Sequence, residues 1–540
     1  MSEFSSGAAS KRLLAGCIAL WLAVAGFSIF LHGPMPLYST RTLSVGWEMW
    51  QQGSWLVPLQ NGMQYSHKAP LLYWLYHAGW AVTGVNDVWP RALALIFGAL
   101  ALVLVSRLAR ALFPQRPDAA VLAPWIVAGS TFFLLFALQL MFDVLLGLFV
   151  LAAFLALVRG DIYRGVPSWI GFSLALGLGL LVKGPVMLLH VVFPVLLAPL
   201  WSEQARAAPA RWYGRAALAT LGGFALFAAW LVPALLQGDA AYREALLWKQ
   251  TAGRIVKSFD HARAWWWYLA ILPALAFPWV LWFGSWRALA GARRDDIAGG
   301  RFLACWLLPA LLAFTLISGK QAYYLIPELG GLAVALAAAI AARADARWPR
   351  WYGALPALVI IALGAMTLAL PWLPPQWITS PWVAQLANGS RWIAWFIVAA
   401  GAALLIGARR PTRFVLQLGA ASLIAGAAAH ALFMHAYWPR YDLAPAAQAI
   451  ARAQREGRPV LNIGTYEAEY QFLGRLEKPL AELDRPEDIA AWRQAHPDGV
   501  IVQTGARTPK GVGTPLHRQR FRSRWVEIWP APAYRGFPDQ

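Results

Sequence analysis

Apolar residues in this chain arrive in long, nearly unbroken blocks separated by short polar segments. The blocks centre on residues 13–31, 91–112, 120–137, 143–158, 167–182, 184–200, 216–236, 266–286, 302–317, 323–342, 353–372, 391–407 and 414–434. A helix needs ~20 apolar residues to cross a bilayer core, so the pattern predicts about thirteen membrane-spanning helices. The first block has no small-residue cleavage site, so it reads as a retained span and not a signal peptide. From about Met434 the pattern changes to that of an ordinary soluble domain. PVLNIG (459–464) and GVIVQTG (499–505) read as buried strands, and PEDIAAWRQAH (486–496) as a helix between them. The expected fold is an all-α polytopic membrane domain over 1–435, followed by a small α/β domain over 436–540.

Composition sharpens this picture. Of 540 residues, 59% are hydrophobic and only 13% charged, where a soluble domain would carry about a quarter charged. The formal net charge of +20 would suit a nucleic-acid partner, but its placement argues otherwise. Basic residues gather between alternate apolar blocks: Lys11 and Arg12; Arg107, Arg110 and Arg116; Arg159 and Arg164; Arg206, Arg211 and Arg215; and so on to Arg409, Arg410 and Arg413. That alternation is the positive-inside signature. It predicts a cytoplasmic N-terminus, an extracytoplasmic C-terminus and no nucleic-acid role. Cys17 and Cys305 both lie inside apolar blocks, without metal-ligand spacing, and read as small core residues.

The outward loops at about 33–90 and 237–264 are long, amphipathic and aromatic, as interfacial helices are. Ionisable groups placed near membrane depth are expensive and therefore mark functional positions. Lys183, in GLLVKGPVMLL, stands between two apolar spans beside a Gly-Pro break, either as a snorkelling lysine or as a phosphate ligand. Lys68 in SHKAPLLYW and Lys320 in SGKQAYYLIPEL are lone cations opening apolar, aromatic segments. Tyr323 and Tyr324 read equally as interfacial aromatics or as site residues. Asp143, in LQLMFDVLLGLF, is an acid at the outer edge of a span, suited to a helix N-terminus or to orienting a substrate. Arg254, Lys257, His261 and Arg263 alternate with apolar residues ahead of three tryptophans. His261 and His67 are the only well-placed imidazoles on this face, and two ligands do not make a metal site.

Several motifs together resemble one family, the bacterial aminoarabinose (lipid A) transferases and their relatives the protein O-mannosyltransferases, of the GT-C fold. They are R-x6-E-M-x3-G-x-W-x-V-P from Arg41 to Pro58, and N-G-x-x-Y-x-x-K-x-P-L-x-Y-W from Asn61 to Trp74. FDVLL, LVKGP, the H-x-R-x-WWWYL run and SGKQAYYLIPEL follow in order. The resemblance implies that Lys68, Lys183, Arg254 and Arg41 bind the phosphate of an undecaprenyl-phosphate sugar. It places Lys320, Tyr323 and Tyr324 against the lipid carrier, and Asp143 at an acidic position of the pattern. His67, His261 and Arg263 are further candidates. Two departures stand out. The acidic pair that opens the first loop of the family is replaced by Tyr38 and Ser39, and the acid before the lysine is replaced by His67. No metal ligand set is carried over, although a divalent cation remains compatible with the family.

The expectation is an inner-membrane glycosyltransferase with a periplasmic site. It would move a sugar, 4-amino-4-deoxy-L-arabinose or a hexose, from undecaprenyl phosphate to lipid A or another glycolipid. A phosphate acceptor suits the lost acids, because it is already an anionic nucleophile and needs no base. The rivals are a non-catalytic polyprenyl-lipid-binding homologue, a protein O-glycosyltransferase and a flippase. The last should show charges paired near the bilayer midplane.

Overall fold

The computed structural model describes residues 7–163, 165–252, 262–292, 297–374, 376, 380–387, 391–506 and 513–536. Its N-terminal two thirds open with nine helices: α1 (Gly7–Leu31), α2 (Tyr38–Gln51), α3 (Leu71–Thr83), α4 (Val88–Leu112), α5 (Pro117–Ala128), α6 (Thr131–Ala137), α7 (Phe142–Tyr163), α8 (Val166–Lys183) and α9 (Val186–Leu196). The helices Pro209–Gln237, Ile297–Leu316, Ile326–Ala341, Ala354–Ala369, Ala394–Leu405 and Pro411–Tyr437 complete the membrane domain.

Among the described residues, nine helices are long and apolar enough to cross a bilayer, or ten if α5 and α6 count as one span bent by 62°. The predicted thirteen is therefore too regular a picture. Every apolar block is helical, but several are broken. The block 184–200 contains Pro194 inside α9 and Pro199 just beyond it. The block 266–286 is interrupted between Trp267–Leu275 and Phe283–Ala290, with Pro273 inside the first helix and Pro278 in the break. Proline removes a backbone donor and clashes with the preceding turn, so these blocks are hydrophobic enough for a span without forming one straight helix.

Close packing in the bundle follows from small residues. A Cβ on Gly177 of α8 would lie 2.9 Å from the carbonyl oxygen of Gly223 on Pro209–Gln237. Without a hydrophobic drive between helices in lipid, such close backbone approach supplies the dispersion that holds them.

The C-terminal region forms a five-stranded sheet from β3 (Val460–Ile463), β4 (Ala481–Leu483), β5 (Val500–Gly505), β6 (His517–Phe521) and β7 (Arg524–Pro530); β1 (Leu59–Gln60) and β2 (Met63–Gln64) make a separate hairpin in the first loop. The sheet order is β4-β3-β5-β7-β6, with β3 parallel to both β4 and β5 and the β6–β7 hairpin antiparallel at the far edge. Ala444–Arg455 packs its Ala446, Ala447 and Ile450 on one face, and Ile489 of Pro486–Ala495 joins the core of the other. This small domain rests on α2 and α3. Trp80 stacks on Phe472 at 5.7 Å, Trp47 Nε1 donates to the Leu476 carbonyl at 3.0 Å, and the Phe472 amide donates to Ser44 Oγ at 3.0 Å.

Candidate active site

The turn between α8 and α9 places the central lysine. Gly184 adopts φ +60°, a left-handed conformation that glycine takes without steric cost. It ends α8 sharply and leaves Lys183 as its last residue. Across from it, α7 begins at Phe142, so Asp143 lies in its first turn, where the helix dipole favours an anion. The two meet: Lys183 Nζ and Asp143 Oδ1 are 2.5 Å apart, with side chains only 8% and 1% exposed. Burial this deep is tolerated because each charge neutralises the other. Asp143 Oδ2 has no hydrogen-bond partner.

An aromatic wall surrounds this pair. Lys183 Nζ lies 4.4 Å from the centroid of the Tyr324 ring and 5.8 Å from that of Tyr323. Tyr323 meets Tyr38 edge-on at 6.1 Å. Lys68 Nζ stands 5.4 Å from the ring of Phe142, the residue before Asp143. Arg41 lies 6.0 Å from the Tyr38 ring and is ion-paired with Glu467 of the C-terminal domain. Thus Lys68, Lys183, Asp143, Tyr323, Tyr324 and Arg41 gather at one end of the bundle, beneath the C-terminal domain.

Tyr38, at a position where the resemblance implies an acid, opens α2 beside this wall. Its hydroxyl is buried without a partner. Burial, and then the neighbouring Asp143 carboxylate, hold the phenol well above its ordinary pKa. Tyr38 is therefore a neutral O–H donor, where a carboxylate would have been an acceptor only.

The remaining candidates sit differently. Lys320 is 2% exposed, and its ammonium donates to the carbonyls of Ile317 (2.5 Å) and Arg263 (3.3 Å), bracing its own turn. Arg263 is exposed and lies 5.9 Å from the Trp267 ring. His67 is exposed beside Tyr65, ring centroids 4.9 Å apart. Arg254 and His261 lie outside the described residues. Among the described residues, no three His, Cys, Asp or Glu side chains gather as a metal site.

Three features were missed in the sequence. One is Glu467, which completes the Arg41 pair from a separate domain. A second is Glu469, two residues on, whose carboxyl is pushed up to about 7 by burial, outweighing backbone hydrogen bonds, with Glu467 and Glu482 adding repulsion. The third is a pair below the site, His190 Nδ1 and Glu328 Oε1 at 2.6 Å, linking α9 to Ile326–Ala341. This pair ties the helix after Lys183 to the helix after Tyr324. No sequence spacing signals either long-range contact.

Glu469 gives a pH dependence with a definite sign. A carboxyl raised above its ordinary value of 4.5 binds more proton in the folded state, so its contribution to stability falls as pH rises from 4.5 through about 7. Thermal unfolding in detergent should show a pH-dependent loss over that window, and Glu469→Gln should flatten it. An unchanged slope in the variant would remove Glu469 as its source.

Fold and site together define a polytopic membrane protein with a cluster of cations and aromatic rings at one membrane face. Comparison with known proteins agrees. A family model described as dolichyl-phosphate-mannose-protein mannosyltransferase matches residues 67–233. An undecaprenyl phosphate-alpha-4-amino-4-deoxy-L-arabinose arabinosyl transferase of Pseudomonas paraeruginosa is 28% identical, over 91% of this chain and 85% of that one. A second such transferase, of Pseudomonas fluorescens, is 30% identical over 62% of this chain and 61% of its own length. Among solved structures, ArnT from Cupriavidus metallidurans bound to undecaprenyl phosphate superposes with TM-score 0.73 at 16% identity, covering 97% of this chain and 98% of that one. Its apo form gives 0.74 over 98% and 100%. The chain is similar along nine tenths of its length to the aminoarabinose transferases and shares the fold of the solved ArnT structures.

Proposed function

We propose that this protein transfers a sugar, 4-amino-4-deoxy-L-arabinose or a close analogue, from undecaprenyl phosphate to a phosphate of lipid A or a similar glycolipid. The N-terminus is cytoplasmic and the site periplasmic, in keeping with the charge alternation. The observation that carries the reading is the buried Lys183–Asp143 pair walled by Tyr323 and Tyr324, with Lys68 and Arg41 alongside.

In this reading the acceptor phosphate oxygen attacks the anomeric carbon of the donor sugar. The bond from that carbon to the donor phosphate oxygen breaks, and undecaprenyl phosphate leaves with the electron pair. No proton needs removal from an ionised phosphate, so the acids lost at Tyr38 and Ser39 are not required. Lys183, Lys68 and Arg41 stabilise the charge that develops on the departing phosphate, in a site that excludes water. Asp143 holds Lys183 in place, and its free Oδ2 accepts from a sugar hydroxyl or amine. Tyr38 donates a hydrogen bond to a phosphate oxygen.

The test is transfer from labelled undecaprenyl-phosphate sugar in matched membranes of wild type and Asp143→Asn. Label should reach glycolipid with wild type and fall by about 10²-fold or more in the variant, the usual scale for a misplaced electrostatic group. Wild-type membranes that bind the donor yet label no glycolipid would favour a non-catalytic lipid-binding protein.

A further inference from the structure

At the far end of the same bundle, a cavity of about 500 Å³ opens between four helices. Its polar lining is Ser10 and Lys11 from α1, Ser106, Arg107 and Arg110 from α4, and Arg159 from α7; apolar side chains of α1, α4 and α5 complete it. Asp143 lies in the first turn of α7 and Arg159 stands near its end, sixteen residues on. At 1.5 Å per residue the cavity lies about 24 Å from the Lys183–Asp143 pair, across the membrane.

The positive-inside pattern accounts for basic residues on this face but not for their convergence. Topology is satisfied by cations anywhere in the connecting loops. Here all four stand on the helices themselves. Arg107 and Arg110 are spaced three apart, so they share one face of α4. Lys11 and Arg159 close on that face from two other helices. All four side chains are exposed to the cavity or its mouth, and among the described residues none is ion-paired with a carboxylate. The floor is rigid: buried Ser106 donates through Oγ to the Ala120 carbonyl at 2.6 Å, pinning α4 to α5. Four like charges around one void repel one another unless an anion occupies it.

We propose that this cavity binds the headgroup of an acidic glycerophospholipid, best one carrying two phosphodiesters, as in diphosphatidylglycerol. Two phosphodiesters between four cations relieve the repulsion. A volume of about 500 Å³ falls in the range of small-molecule sites. Leu14, Ala111 and Val121 add apolar lining beside the cations, suited to the glycerol end of the acyl chains. Basic pockets between membrane helices recognise such headgroups in general. The site is separate from the transfer reaction proposed above and does not rest on it.

The experiment is thermal unfolding and native mass spectrometry of the full chain in neutral detergent. Diphosphatidylglycerol, phosphatidylglycerol, phosphatidylcholine and inorganic phosphate are titrated in turn. The two-phosphate lipid should raise the unfolding temperature saturably and remain bound in the gas phase. Phosphatidylglycerol should do so more weakly, and phosphatidylcholine and inorganic phosphate not at all. Each cation near a lipid surface is worth about fivefold in affinity, so Arg107→Gln/Arg110→Gln should weaken binding about 25-fold. The control pair Arg287→Gln/Arg347→Gln removes equal charge outside the cavity and should change little. If the double variant does not fold, Arg159→Gln alone should still cost about fivefold. Equal losses in the cavity and control pairs, equal stabilisation by phosphatidylcholine, or stabilisation by inorganic phosphate alone would each overturn the lipid site.

Discussion

Replacing Lys183 with alanine is expected to abolish measurable sugar transfer, with a loss of about 10²–10³-fold in kcat from removing one stabiliser of the departing phosphate. The same change strands Asp143, which is 1% exposed and has no other partner. An uncompensated buried charge costs about 3–5 kcal/mol, so lost activity could be mistaken for lost folding. The two effects separate in the double variant Lys183→Met/Asp143→Asn, which removes both charges. It should recover most of the unfolding temperature lost by Lys183→Ala and remain inactive. Recovery of activity along with stability would mean that Lys183 serves the fold and not the reaction.

Asn61→Leu is expected to loosen the C-terminal domain from the membrane domain. Asn61 sits at the tip of the β1–β2 hairpin with φ +52°, a conformation that asparagine accepts and leucine resists. Its Nδ2 donates to the Leu480 carbonyl at 2.9 Å and to Glu482 Oε1 at 2.8 Å, and its Oδ1 accepts from the Leu480 amide at 2.8 Å. Leucine would leave these buried groups unpaired, at about 1–3 kcal/mol for each unsatisfied group. Limited proteolysis should then cut between the domains much faster than in wild type. Transfer should fall as well, because Glu467 reaches Arg41 only while the domain is docked. Unchanged proteolysis would show that the Trp80–Phe472 stack and the Trp47 contact hold the domain without this asparagine.

Much of the architecture was legible in the sequence because its cause is local. An apolar block long enough to span a bilayer announces itself. PVLNIG and GVIVQTG became β3 and β5 because a short β-branched run between turns has few other solutions. The breaks within blocks were harder to read, since a run such as 266–286 has the same hydrophobicity whether or not proline divides it. Lys183 and Asp143 each stood out as a charge at a span edge. Their pairing did not, because they are 40 positions apart on helices whose packing only the fold decides. Glu467 and Glu469 were invisible for the same reason. They lie in an ordinary polar loop and gain meaning only when a second domain comes to rest on α2. Lys320 shows the converse. Its lone charge suggested a ligand contact, while its ammonium is spent largely on two backbone carbonyls.

The most direct measurement is transfer by the purified protein in liposomes, from undecaprenyl-phosphate aminoarabinose to two acceptors: lipid A with its phosphates and lipid A from which they have been removed. Sugar should reach the phosphorylated acceptor only, with one undecaprenyl phosphate released per sugar moved. Equal transfer to the dephosphorylated acceptor would contradict the account, since a hydroxyl would then be the nucleophile and would need a general base to take its proton.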